Sequence, residues 1–370
     1  GTYVIKYYGT ATSIAWGSTS TAQKQFLTKI LDWGITGATL AKFEYCSSLL
    51  SVAANLENTT TNLSKCFSNS TGNPDVSLLD TSNVTNMRDI FYNNQTITSI
   101  DVSNWDVSNV TNFQYMFRNC YELTTLDVSS WDLKTTGSVT LRGIFFSCRK
   151  LATIDVSDWN TSAVNTMRSV FRECYLATPD TSKWDTSNVN NMQYMFYNAR
   201  VANPGVAYSV GTANGGGNAW DVSNVTKMDF LFNNAYLADP DVSNWDTGSV
   251  TIFRDMFFAA RAANPDVSGW DTSSGTNLRY LFNGAILANP DVSLWNFGAA
   301  TNYENFLNNS NLSTTNYDGF LNRLNAQRIT YSLTGRAIGD IDTTYTTSVS
   351  GAARTALLAN GWTFTDDGGV

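Results

Sequence analysis

The sequence predicts an α/β solenoid of about ten stacked coils, each a short parallel strand followed by a short helix, with a cap at either end. Two repeated phrases and the placement of proline predict it. The first phrase, D-V-S-x-W-D, sets a column at Trp105, Trp131, Trp159, Trp184, Trp220, Trp245, Trp270 and Trp295, with Leu79 in the same place one coil earlier. The intervals run from 25 to 28 residues, save one of 36 between Trp184 and Trp220. The second phrase, V-T-N-M-x-x-M-F, sets Phe67, Phe91, Phe117, Phe145, Phe171, Phe196, Phe232, Phe257 and Phe282, with Leu307 as an altered last member. Such a period marks an array whose units cannot bury their own apolar faces and depend on their neighbours.

Residues 1–40 read as an N-terminal cap, 41–312 as the array and 313–370 as a C-terminal cap. Within a coil, Leu123, Leu126, Val128 and Trp131 follow the L-x-x-L-x-L-x-x-N spacing of a leucine-rich repeat, with Trp for Asn, so the coils are leucine-rich-repeat-like. Alternation at this phrase reads as a short strand. From Val110 to Phe117 the apolar residues fall at helical intervals, and Thr111 is placed to cap one or two helical turns. Pro74, Pro179, Pro204, Pro240, Pro265 and Pro290 each directly precede the first position of the D-V-S phrase, which reads D-T-S after Pro179 and G-V-A after Pro204, and a missing N–H is tolerated at such a strand's start. From Leu176 onward Pro replaces the second apolar residue, which predicts shorter strands in the second half.

Composition narrows the chemistry. The chain has no histidine, which excludes Ser-His-Asp and Cys-His nucleophiles and the common catalytic zinc sites. A net charge of −8 argues against a nucleic-acid partner. Only five of the 31 acids are Glu; Asp prefers turns and caps. The low charged fraction, filled out by Ser, Thr and Asn, points to a repetitive extracellular protein. No apolar run approaches the roughly 20 residues of a membrane span. Without an initiator Met, Gly1 reads as the start of a processed chain or of a segment. Cys46, Cys120, Cys148 and Cys174 lie three residues after a column aromatic, where other coils hold Ala, Ser or Asn. That is a small buried slot, so free thiols are expected, with room for one disulfide between neighbours at most.

The phrases from Asp101 to Phe117 and from Asp241 to Trp245 resemble those of the BspA-like, mycoplasma-type leucine-rich-repeat surface proteins. Asn316 to Leu321 and Gly361 to Asp366 resemble a closing segment of such proteins in aquatic bacteria and phages. The resemblance implies a surface-exposed solenoid concerned with attachment or protein contacts, and no catalytic residues. The chain departs from the pattern in its proline-containing second half and its long coil.

In each of two Asp columns, from Asp75 to Asp291 and from Asp80 to Asp271, charges of neighbouring coils would repel at the roughly 4.8 Å spacing of stacked strands. Asx-turns to nearby N–H groups are the expected remedy, and bridging calcium the alternative; no other cofactor is implied. A glycosidase-type pair is not expected, since a repeated column offers no unique acid and base. Arg88, Arg142, Arg168, Arg254 and Arg279 form a column expected to pair with Asp on a solvated face. Tyr121, Arg149, Tyr175, Arg200, Tyr236 and Arg261 alternate down another column, allowing cation–π contacts that either bind a glycan or protein or satisfy one another. The Trp column carries too much apolar area to be an exposed platform.

Two functions follow: a non-enzymatic attachment or protein-interaction protein on a cell or virion surface, partnered by a surface protein or glycan, or a structural subunit that assembles with copies of itself into an extracellular fibre or particle. The long coil's extra residues, Val206 to Asn218, include Gly215, Gly216 and Gly217 and must leave and rejoin the stack in phase, as a projecting loop does at small entropic cost. Tyr208 is its aromatic contact residue. Deleting 207–218 is expected to leave the melting transition in place and to weaken attachment or assembly in a pull-down; unchanged attachment and assembly would remove the loop's role.

Overall fold

The structure, a computed structural model, describes residues 60–203 and 220–370, together with six two-residue strands before residue 60. The chain divides into two compact units, Gly1–Asn188 and Val189–Val370.

In the first unit, β1 (Gly9–Thr10) pairs with β4 (Ile35–Thr36), β2 (Ile14–Ala15) with β5 (Ala41–Lys42), and β3 (Lys29–Ile30) with β6 (Ser51–Val52), all in parallel. From residue 60 the repeats stack, and their backbone follows one rule. Phe113, Tyr115, Phe117 and Asn119 donate their N–H groups to Thr140, Arg142, Ile144 and Phe146 of the next repeat, at 2.8–3.1 Å. The alternate residues Met116, Arg118 and Cys120 donate three residues back, to Phe113, Tyr115 and Phe117. Gln114 N–H goes to Asn112 Oδ1 at 3.0 Å. Every N–H from 113 to 120 is thus used, as burial demands.

This corrects the expected short helix. Tyr115 and Asn119 have φ of 57° and 64°. A three-back bond around a third residue of positive φ is a type II turn, so the segment is a run of turns. Its buried residues, Phe113, Met116, Phe117 and Cys120, still recur at helical intervals, which is why the sequence pattern reads as helix. Thr111 caps nothing: its N–H and hydroxyl both reach back to the Thr85 carbonyl. The same left-handed pair recurs at Asp89 and Asn93, and at Gly143 and Ser147.

Strands are minimal. β7 (Thr125–Leu126) pairs in parallel with β9 (Thr153–Ile154), and β8 (Val139–Thr140) with β10 (Val164–Thr166). Elsewhere single bridges link successive repeats, as Asn62 to Asn86 and Asn86 to Asn112. The core is two columns of stacked rings. Trp131, Trp159 and Trp184 lie 5.9–6.0 Å apart and within 7° of parallel. Phe67 through Phe171 stack at 5.5–6.0 Å. Each indole N–H donates to a valine carbonyl of the preceding repeat, as Trp159 to Val128 at 2.9 Å.

The second unit repeats this architecture from Val189, with Trp220, Trp245, Trp270 and Trp295 stacked at 6.1–6.3 Å. Among its described repeats no two-residue strand forms; the links are single bridges such as Lys227 to Ile252. A side-chain ladder stands in where proline follows. Asp239 N–H bonds the Asn203 side chain, Asn264 N–H that of Asp239, and Asn289 N–H that of Asn264, at 2.9–3.1 Å. Residues before proline are held extended, which aims these short side chains along the stack.

The last repeat passes its ladder to β11 (Ala337–Ile341), through Asn305 N–H to the Ile338 carbonyl. β11 pairs in parallel with β12 (Thr363–Asp366) across α2 (Thr347–Ala359). The preceding α1 (Thr314–Tyr331) is capped by Ser313 and covers the last Trp: Arg323 and Gln327 donate to the Trp295 carbonyl at 2.8 and 2.7 Å. Asp318 of α1 accepts from Thr346 N–H and the Ser350 hydroxyl at the start of α2. Arg354 grips Asp366 with two bonds, and the Tyr317 hydroxyl adds a third at 2.7 Å.

Replacing Trp159 by Ala removes three ring contacts, with Trp131, Phe145 and Trp184, and the indole bond, and is expected to cost about 3–5 kcal/mol. Trp159→Phe keeps most of the area and loses the indole bond to the Val128 carbonyl, which still accepts the Trp131 N–H, at about 0.5–1.5 kcal/mol. Urea midpoints that do not fall in this order would contradict the ladder.

Candidate interaction faces

Each repeat turns three kinds of side chain outward: the Asp columns, the Tyr/Arg column after the Phe, and a row on the turn segment. Their geometry decides what each can do.

The Asp columns are spent on their own turns. Asp101 Oδ1 accepts both the N–H and the hydroxyl of Ser103, at 3.1 and 2.7 Å, and Asp106 binds Ser108 likewise at 2.9 and 2.6 Å. The pattern holds at Asp75, Asp127, Asp155, Asp185, Asp221, Asp241 and Asp266. These bonds stabilise the carboxylate. The Ser77 hydroxyl and then its N–H lower the pKa of Asp75, and the Ser273 pair does so for Asp271. Among the described residues no three acidic or thiol groups gather as a metal site. The expected Asx-turns are what the carboxylates form.

The thiols are equally committed. Cys66, Cys120, Cys148 and Cys174 are buried thiols. Cys120, Cys148 and Cys174 donate to the carbonyls of Phe91, Phe117 and Phe145 at 3.3, 3.1 and 2.9 Å. Burial pushes the Cys120 thiol up to about 12, and raises Cys148 and Cys174 as well. Cys46 lies outside the described residues.

On the Tyr/Arg column, the Arg149 guanidinium sits 4.5 Å over the Tyr121 ring and 5.7 Å from that of Tyr175, and 3.5 Å from Glu173. Arg261 sits 5.1 Å over Tyr236. Arg200 is exposed, and its carbonyl accepts Leu237 N–H. The column is therefore in part an edge packing of half-buried rings under exposed cations. In the second unit, Leu237, Ile286 and Leu287 are exposed beside it. Tyr208 and its loop lie outside the described residues.

The row on the turn segment holds the expected arginine column; the acids and rings that share its side are the part that sequence reading missed. In the second unit it is acidic and basic by turns. Arg254 lies 3.6 Å from Asp229 and 3.5 Å from Asp255, and Arg279 lies 3.0 Å from Glu304. Gln193 adds a 2.7 Å bond to Asp229. The expected pairing of column arginines with acids thus holds for Arg254, Arg279 and, with Asp89, Arg88. Burial, against Arg254 and Arg279, raises Asp255 to about 6. In the first unit the row is basic and aromatic: Arg118 lies 4.8 Å from the Tyr115 ring and 4.7 Å from that of Phe146. A helix reading scatters these residues around an axis; only the turn run puts them on one side.

A family model described as "Mycoplasma protein of unknown function, DUF285" matches residues 61–151, 135–210 and 205–320. No curated protein and no solved structure matches the chain.

Asp255 yields a pH test. Its folded pKa of about 6 stands above the ordinary 3.8, so the folded state holds a proton that the unfolded chain releases. The stabilisation is full below about pH 4 and is lost as pH rises through about 6. Asp255→Asn is expected to flatten that part of the stability–pH profile in urea titrations at about pH 4 and about pH 7. An unaltered profile would remove Asp255 as its source.

Proposed function

Because the chain belongs to the family described as Mycoplasma protein of unknown function, DUF285, whose model covers most of its repeats, we propose that it is a non-enzymatic interaction scaffold. In this reading it is a leucine-rich-repeat-like solenoid displayed on a cell or virion surface, where it attaches to a surface protein or glycan. One observation carries the reading: the inward columns and the Asp turns are nearly uniform, while the other outward positions change from repeat to repeat. Position four after the column Phe passes through Gln95, Tyr121, Arg149, Tyr175, Arg200, Tyr236, Arg261 and Ile286. A uniform frame with varied outward side chains suits recognition, and insertions and varied positions in repeat proteins often line the binding face.

The carboxylates and thiols that would serve as reactive groups are engaged in turns and in carbonyl bonds. Outside a cell, thiols with raised pKa and no solvent access resist oxidation. Against self-assembly through the C-terminal end, α1 covers the Trp295 carbonyl, and the closing strand β12 is four residues long; short edge strands are poor templates for pairing.

Electron microscopy of purified chain, with sedimentation, tests this. Monodisperse particles are expected. Regular filaments would overturn the scaffold reading in favour of a structural subunit.

A further inference from the structure

We propose that the basic, aromatic row of the first unit is a binding site for an anionic sugar, a uronate or sulfated residue presented on a glycan. The inference rests on the reading of the chain as an interaction scaffold and names the chemistry of its ligand. Three successive repeats build the site. Tyr92 comes from one, Tyr115 and Arg118 from the next, and Arg142 and Phe146 from the third. The Arg118 guanidinium is held among three rings, 4.8 Å from Tyr115, 4.7 Å from Phe146 and 5.5 Å from Tyr92. The Arg142 guanidinium lies 5.5 Å from the Tyr115 ring. Tyr115 is seated by Gly143, where a Cβ would come within 2.6 Å of its ring.

The cations here are uncompensated. Arg88 is paired with Asp89, and Arg149 with Glu173. Arg118 and Arg142 form no ion pair with an acid among the described residues, unlike Arg88, Arg149 and Arg172. Lys65 joins Arg88 and Arg118 in lining a cleft of about 510 Å³, whose one acid is the already paired Asp89. That volume lies within the range of small-ligand sites. On a chain of net charge −8 this is a local excess of positive charge.

The geometry selects among anions. A planar guanidinium matches the paired oxygens of a carboxylate or sulfate. Tyr rings offer an apolar face and a polar tip, the complement of a sugar's C–H face and hydroxyl rim. An acidic peptide has no such flat face, and it finds no strand to extend, because the N–H groups from 113 to 120 are all used between repeats or within turns. A nucleic acid would set its phosphate run against the chain's overall negative charge.

The test is calorimetric titration of the full chain with oligogalacturonate, sulfated dextran oligomers, neutral dextran and oligoglutamate. At least one acidic sugar is expected to bind, more weakly as salt rises, with neutral dextran and oligoglutamate silent. Arg118→Gln and Arg142→Gln should each weaken binding about tenfold or more, the usual effect of losing a charged hydrogen bond. Lys183→Gln, at an exposed cation outside the site that is paired with Asp158 at 2.7 Å, should leave it unchanged. Tyr115→Leu should also weaken it; should that variant melt early, the two Arg variants decide. Binding of no acidic sugar, equal binding of oligoglutamate, or wild-type affinity in Arg118→Gln would overturn the proposal. Monodisperse particles that bind no acidic sugar would leave the scaffold reading intact and remove this site alone, whereas filaments would count against the scaffold reading itself.

Discussion

In the turn segment of residues 113–120, half of the N–H groups do not close their own turn; they reach the next repeat. That one constraint organises the rest. Phe113, Tyr115, Phe117 and Asn119 must all face the carbonyls of residues 140–146, so the residues between them must fold back locally. The fold-back needs positive φ at two positions per repeat, filled here by Tyr, Asn, Asp, Ser and Phe as well as Gly. Each non-glycine residue there costs about 1–2 kcal/mol. Inter-repeat bonds and ring stacking offset it, at about 0.5–1.5 kcal/mol for each aromatic pair beyond its buried area. Neither the strain nor the stacking stands without the other.

The composition follows from the same need. A repeat of about 25 residues with almost no strand or helix leaves many backbone groups to be satisfied by short side chains. Asp takes the N–H two residues on, and Asn112 does the same at the head of its turn segment. Asn203, Asp239 and Asn264 supply acceptors where proline has ended strand pairing. Trp105, Trp131, Trp159, Trp184, Trp270 and Trp295 each return an indole N–H to a valine carbonyl. A thiol at Cys148 serves the Phe117 carbonyl. The abundance of Asp, Ser, Thr and Asn is therefore structural before it is functional, and the acidic charge is largely that of turns.

Within such a frame, function can vary without disturbing the stack. In the first unit the turn row gathers Arg118 and Arg142 around three rings with no acid between them. In the second, the corresponding row balances Arg254 and Arg279 with Asp229, Asp255 and Glu304. The two rows share one backbone geometry and differ in charge. Changing one outward residue alters recognition, whereas changing an inward one breaks a column.

What the residues determined by themselves was the repeat, its register and its inward columns, because a period read over nine coils needs no knowledge of backbone path. The burial of Trp105 to Trp295, the small slot of the thiols and the Asx-turns were legible for that reason, as was the loss of strands where proline enters. The turn run was not. Phe113, Met116, Phe117 and Cys120 recur at helical intervals in either conformation, and only the partner carbonyls in the next repeat decide between them. The basic cleft was hidden by the same ambiguity. Tyr92, Arg118 and Phe146 share one position of successive repeats, but Tyr115 and Arg142 sit at others. Tertiary structure alone brings them together, because the left-handed residues turn all three positions to one side.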